Sequence, residues 1–411
     1  MTLTNFEPQL DQYADLIIKT GANVQPGQTI IIYISVDQAP LARRLTERAY
    51  AQGADEVLVE WNDQFVHRAF LQHASMERLQ QRPDYLLEKN TTLMAQHATR
   101  ISVISEDPNG LAAVPSDRLA LANQGTARIS APIRTATMNN DISWVVVAAA
   151  SVPWATQVFP DKSATAALDA LWAEIFKTTR VDQPDPVLAW HHHIDLLNAK
   201  AAWLNEHQFT ALEYRSPLTH LTVGLPEHHV WEAAGATDAT GNFFVPNMPT
   251  EEVFTAPDNQ RIDGTVVSTK PLSYAGTLLT DIHVTFSHGR IVAATAATGN
   301  DVLQQLINTD AGARSLGEVS LVPDSSPISQ SGIIFYNTLF DENASDHLAI
   351  GAAYPFNVAG GTSMNPDQLA AAHLNQSDVH VDFMVGSADL DIDGITADGT
   401  AIPVFRQGNW A

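Results

Sequence analysis

The sequence predicts an α/β N-terminal domain on a parallel-type sheet, followed by a β-rich α+β C-terminal domain. Three observations predict this. A chain of 411 residues exceeds ordinary single-domain size. In its first half, short apolar runs alternate with helix-compatible stretches, the pattern of strands covered on both faces by helices. Past about residue 210 the texture changes to strand-like segments joined by turn signals. The predicted boundary lies near 210–218, giving domains 1–215 and 216–411.

Taken in order, residues 14–20 read as helix, and the turn Pro26-Gly27-Gln28 leads into the apolar run at 30–34. A helix over 40–52 is stopped by Gly53, and 56–60 reads as strand. Further strands are predicted at 101–104 and 144–149, and helices at 164–179 and 191–207, separated by the turn-rich 182–186. In the second half, strands are predicted at 219–223, 265–268, 282–286, 290–294, 379–385 and 389–392. The turns expected between them are Asp263-Gly264, His288-Gly289, Asp393-Gly394 and Asp398-Gly399. Helices are expected near 301–308 and 366–374.

Composition excludes several chemistries. The chain has no cysteine, so disulfides, thiolate metal sites and a cysteine nucleophile are ruled out, and any metal must rest on His, Asp and Glu. A formal charge of −24 disfavours phosphate backbones, so no nucleic-acid partner is expected. It favours cationic ligands such as metal ions and peptide amino termini, although a merely solvated acidic surface has the same sign. The N-terminus lacks a basic stretch followed by an apolar one, and the longest apolar run, 144–150, is far too short for a bilayer. A cytoplasmic protein without membrane contact is expected. There is no G-x-G-x-x-G, no Gly-Lys pair, no G-x-S-x-G and no His-Glu pair. The dinucleotide fingerprint, the P-loop, the serine-hydrolase elbow and H-E-x-x-H are therefore all missing.

Four constellations could carry chemistry, and all lie in the second half. In Asn247-Met248-Pro249-Thr250-Glu251-Glu252-Val253 an extended backbone allows only one of Glu251 and Glu252 to face a pocket. A charged loop would look the same. In Leu316-Gly317-Glu318-Val319-Ser320-Leu321 an acid interrupts an apolar strand, which is costly to bury without a cation. An edge strand with an exposed Glu318 is the alternative. In the segment 341–354, Asp341, Glu342, Asn343 and Asp346 precede His347, which could ligate, cap a helix or bond to the core. In Asp378-Val379-His380-Val381-Asp382, His380 and Asp382 project from one strand face and form a half-site for a borderline metal, or the polar face of a half-exposed strand. Together they hold two imidazoles and at least three carboxylates, an inventory suited to two divalent cations about 3.5–4 Å apart. His191, His192 and His193 open a helix, where consecutive side chains fan about 100° apart and cannot converge. His228 and His229 are expected in a solvated loop.

These segments, in this order, resemble the aminopeptidase T / aminopeptidase S (PepS-type) family of metallo-aminopeptidases. The resemblance runs from the Val24-Gln25-Pro26-Gly27 turn through residues 247–258, 316–323, 340–354 and 380–387 to Gly408-Asn409-Trp410. It implies that Glu252, Glu318, His347, His380 and Asp382 are metal ligands, that Glu318 is shared by both ions, and that Tyr354 is the active-site tyrosine. It further implies Glu252 and Asp382 on one ion, His347 and His380 on the other, with Glu251 beside the ligands or carrying protons. Two divalent ions per chain (Zn, Co, Mn or Mg), a homodimer and short peptide substrates also follow from it. The C-terminal domain is then catalytic and the N-terminal one scaffold. The implied reaction releases N-terminal amino acids by a two-metal-activated hydroxide, with Tyr354 hydrogen-bonding the developing oxyanion. A binuclear metallo-amidohydrolase acting on non-peptide small molecules is the rival, and a two-lobed binding protein without metal is a second.

Overall fold

The structure, a computed structural model, describes residues 3–411 and divides into two compact units, Met1–His192 with Gly235–Pro249, and His193–Ala234 with Thr250–Ala411. The division at 192/193 falls inside the helix Pro186–His207.

The first unit is built on four parallel strands in the order β2-β1-β3-β4, with β1 at Thr29–Ser35, β2 at Glu56–Asn62, β3 at Thr99–Ile104 and β4 at Trp144–Ala148. Ile30, Ile31, Ile32 and Ile34 of β1 are all buried. Burial on both faces explains an unbroken apolar run where a half-exposed strand would alternate. On one face Ile31 joins Leu93, Met94, Ala136 and Ile142. The first helix, Phe6–Leu16, begins well before the predicted residue 14 and continues as a π turn over Ile17–Gly21. Its Tyr13 is fully buried against Trp172 and Phe176, and its hydroxyl donates to the Ala148 carbonyl at 2.8 Å.

Among the described residues the second unit holds two large antiparallel sheets and a two-stranded hairpin, Leu272–Tyr274 with Thr277–Leu279. The larger has eight strands, ordered Arg290–Thr295, His283–Ser287, Ile262–Val267, His220–Gly224, Ala211–Arg215, Asp391–Ile395, Ala401–Arg406 and Asn409–Trp410. The smaller has four, ordered His380–Met384, His347–Gly351, Leu316–Leu321 and Val253–Thr255. An α/β domain on a parallel sheet and a β-rich α+β domain are thus both present.

Two predicted turns are not turns. Asp263-Gly264 and Asp393-Gly394 sit inside ladders, Gly264 opposite Phe286 and Leu221, and Gly394 opposite Leu212 and Ile402. Close approach is the reason for glycine at both. A Cβ on Gly264 would lie 2.2 Å from the His220 carbonyl oxygen, at a φ of +124°, and one on Gly394 would lie 2.6 Å from the Phe209 ring. The dipeptide signal for a turn and that for a crowded strand are the same two letters. The helix predicted from residue 191 starts at Pro186, with Asp185 accepting from the Leu188 amide at 3.0 Å. The Pro-Asp-Pro read as a loop is therefore a helix start, with a side-chain cap before a proline in the first turn.

Tyr13→Phe is expected to cost about 1–3 kcal/mol by leaving the buried Ala148 carbonyl short of a donor, measurable as a lower denaturation midpoint. Burial pushes the Tyr13 phenol far above its ordinary value. The unfolded chain then ionises first, so this contribution is complete below about pH 10 and declines as pH rises beyond it. The Phe variant should show a shallower alkaline loss of stability than the parent.

Candidate metal centre

Strand register decides which side chains meet. Glu318 lies opposite Ala349, and Ala349 opposite Asp382, so Glu318 and Asp382 flank the middle strand on one face of the four-stranded sheet. His347 is two residues before Ala349, and His380 two before Asp382, which puts both on that same face. At the far edge Phe254 pairs with Ser320, so Glu252, two residues earlier, also points this way. Ser320 confirms the geometry by donating to Glu252 Oε2 at 2.9 Å. All five residues expected from the sequence are brought together. Glu318 is on an inner strand, not the edge strand that remained open from sequence, and its residue is only 5 % exposed.

The donors form two groups with Glu318 common to both, namely Glu252, Glu318 and His347, and Glu318, His380 and Asp382, each with its ligand atoms within 4.8 Å of one another. His347 Nε2 is 3.2 Å from Glu252 Oε2 and 3.4 Å from Glu318 Oε1. His380 Nε2 is 3.7 Å from Glu318 Oε2 and 3.6 Å from Asp382 Oδ1. This grouping differs from the pairing implied by the resemblance, which joined Glu252 to Asp382 and His347 to His380. His380 and Asp382 are two apart on one strand, whereas Glu252 and Asp382 belong to opposite edges of the sheet.

Both imidazoles are oriented alike. His347 Nδ1 lies 3.1 Å from the Ser345 carbonyl oxygen and His380 Nδ1 2.7 Å from that of Ala352. A carbonyl only accepts, so each Nδ1 carries a proton and each Nε2 faces the carboxylates. Ring nitrogens fixed by a backbone carbonyl on one side and free on the other are the usual dress of metal-ligating histidines. Asp382 Oδ1 is buried and accepts no hydrogen bond. Hard oxygen and borderline nitrogen donors without sulfur suit zinc, cobalt, manganese or magnesium. The residues present therefore fit divalent metal.

Electrostatics lead to the same requirement. Burial pushes Glu318 above its ordinary value, although the His347 hydrogen bond and the His380 charge oppose this. Burial alone would lower His347, but hydrogen bonds with Glu252 and Glu318 and the charges of Glu252 and Asp382 hold it well above its normal value. For His380, Asp382 and Glu318 likewise overcome burial. The cluster retains positive charge as protons, and a cation can take their place.

Tyr354 follows the His347 strand. Its half-buried ring stacks on Phe356 at 5.1 Å and lies 5.0 Å from the His380 ring. Burial, then the charges of Glu318 and Asp382, push its phenol well above its ordinary value, so it stays protonated. Glu251 points away from Glu252. Its amide donates to Asn343 Oδ1 at 2.8 Å and its carboxylate is 3.5 Å from His193 Nε2. His191 and His192 are exposed, as a helical fan requires, and His193 alone of the three is buried. His229, expected in solvent, is buried too, with Nδ1 3.0 Å from the Pro226 carbonyl. Sequence reasoning missed Ser320, which period-2 alternation from Glu318 would have found. Glu342, one of the acids that precede His347, is pushed by burial and the charges of Asp382 and Glu252 well above the normal carboxyl value. No spacing rule singles out that residue.

Known proteins resemble the chain along its whole length. The chain is 52 % identical over its whole length to aminopeptidase PepS of Streptococcus thermophilus, with all of both chains covered. It is 39 % identical to aminopeptidase T of Thermus aquaticus, covering 98 % of this chain and 99 % of that one. The solved structure of wild-type AmpT from Thermus thermophilus superposes with a TM-score of 0.93 at 38 % identity, covering 99 % of this chain and 100 % of the other. A family model described as thermophilic metalloprotease (M29) matches residues 6–410. With that match spanning nearly every residue, the chain belongs to the M29 family of metallopeptidases.

Proposed function

We propose that this protein is a metal-dependent aminopeptidase that releases N-terminal amino acids from short peptides at a site holding two divalent ions. The observation that carries the proposal is the pair of donor groups sharing Glu318, each with an imidazole whose Nε2 is left facing carboxylates. Family membership makes the chain a peptide-bond hydrolase. The two-ion count, zinc or cobalt as the ions, a cytoplasmic location and a homodimer belong to the same proposal.

When bound, the ions supply Lewis acidity that activates water and polarises a carbonyl. Glu252 and His347 would hold one ion, His380 and Asp382 the other, with Glu318 offering Oε1 to the first group and Oε2 to the second. The chain's overall charge of −24 favours the approach of a peptide's cationic α-amino group. Tyr354, protonated beside His380, donates a hydrogen bond to the oxygen that gains charge as the scissile carbonyl is attacked. Glu251, next to the ligand Glu252 in the chain and paired with His193, supports the ligand set from outside it.

Activity on a panel of aminoacyl-coumarin substrates should vanish with a chelator and return with added zinc, cobalt, manganese or magnesium. Turnover indifferent to chelation would refute the proposal. Glu318→Gln keeps the shape but loses the charge, and its amide nitrogen cannot ligate. The variant should therefore retain fewer than two ions per chain and almost no activity. Metal analysis finding two tightly held ions with substantial turnover would show that Glu318 is not shared. Tyr354→Phe should lower turnover by roughly 10²–10³ with metal content unchanged, and Glu251→Gln should also slow turnover without metal loss. Full activity in either variant removes that residue from the mechanism.

A further inference from the structure

In the parallel sheet of the first unit the order in which strands are added reverses beside β1. The chain places β2 on one side of β1 and then returns to lay β3 and β4 on the other. Connections leaving the carboxyl ends of β1 and β3 must part there, and such a gap is where open α/β sheets take ligands. Here the gap is a cavity of about 340 Å³. Its walls include the residues that end or directly follow the first three strands, Ser35, Asn62 and Ser105.

We infer that this cavity is a binding site, separate from the metal centre, for a free α-amino acid with a cationic side chain, such as L-arginine or L-lysine.

The charges of the lining select that ligand class. Asp37, Asp63, Glu106 and Asp107 face the cavity together with a single cation, Arg68. Among the described residues none of the five forms an ion pair with another charged side chain. Four carboxylates against one guanidinium call for a ligand with more positive than negative charge, yet with one anionic end. An α-carboxylate fits the fork of Arg68, and an α-ammonium plus a cationic side chain suits the acids. A lone phosphate would meet four acids for one base. A bare divalent ion finds no cage, because among the described residues the only groups of three or more close metal-ligating side chains are the two at the metal centre. The volume is at the lower end of small-molecule pockets and holds one amino acid of this size.

A second observation is independent of charge. Ser105 lines the cavity at only 4 % exposure, and its Oγ is buried with no hydrogen-bond partner. An unsatisfied buried hydroxyl is costly, and a polar ligand atom would relieve it. The lining is also held in place before any ligand arrives. Gln64 exchanges two hydrogen bonds with the backbone of Asp107, Nε2 donating at 3.0 Å and Oε1 accepting at 2.9 Å. Glu106 accepts from the Ser105 amide at 2.9 Å and from Asn62 Nδ2 at 3.3 Å. Asp63 caps the following helix, Gln64–His73, by accepting from the Phe65 and Val66 amides. This inference goes beyond the peptidase reading and does not rest on it, although a peptidase releases molecules of this class.

Calorimetric titration of the full-length, metal-loaded protein tests it. L-Arginine or L-lysine is expected to bind saturably, one per chain, while L-glutamate gives no saturable heat. Asp37→Asn and Arg68→Gln should each weaken binding by about tenfold or more, with thermal unfolding of each unliganded variant checked against the parent. Glu318→Gln should bind as the parent does, which separates this cavity from the metal centre and from failure of the peptidase reading. Absence of saturable heat with both basic amino acids would overturn the inference. So would binding untouched in both cavity variants, or binding lost in Glu318→Gln.

Discussion

A carboxylate buried on an inner strand is the constraint around which the second unit is organised. Glu318 stands in the six-residue strand Leu316–Leu321, every residue of which is buried. Stripping a carboxylate of water costs several kcal/mol unless opposite charge or hydrogen bonds replace it. Glu252 and Asp382 on the same face increase the demand, since like charges in a poorly solvated place raise one another's energy. Two imidazoles meet part of it, each turned by a carbonyl so that its other nitrogen faces the acids. What they leave unmet is an affinity for cations, and the same imbalance that burdens the fold equips the site.

Much of the neighbouring structure serves to hold this arrangement. The Val322 amide donates to Asp346 Oδ1 at 2.8 Å, and the Asp346 carbonyl accepts from the Val385 and Gly386 amides, tying three strands together beside His347. The ladder between Leu316–Leu321 and His347–Gly351 shifts register between Leu316 and Glu318. Such an irregularity re-aims the side chains that follow it and is frequent beside functional sites. The Tyr354 ring is braced by Phe356 and Phe254.

The first unit follows a different rule. A parallel sheet needs helices on both faces and leaves its polar features to the loops at the strand ends. The acids of the cavity stand in the segments that follow those strand ends and its lone arginine on the helix Gln64–His73, whereas the candidate metal centre is set by pairing between strands. Loop sites are adaptable and sheet sites are stiff.

Several features were legible in the sequence because they depend on neighbours along the chain. Alternation in His380-Val381-Asp382 shows two donors on one face, and the unbroken Ile30–Ile34 run shows a strand covered on both sides. The extended segment at Glu251-Glu252 shows that only one of the two faces a given side. The absence of cysteine leaves oxygen and nitrogen as the only strong metal donors. Register is not legible in this way. That Glu318, Ala349 and Asp382 line up across three strands depends on backbone pairing between residues more than thirty positions apart, and a one-residue slip would turn every donor to the other face. Hence the grouping of Glu252 with His347, and the sharing of Glu318 with the His380–Asp382 half-site, emerged only from the fold. The same holds for Gly264 and Gly394, whose glycine is required by atoms distant in sequence, and for His193, one of three adjacent histidines, selected by the single direction in which its helix turns it inward.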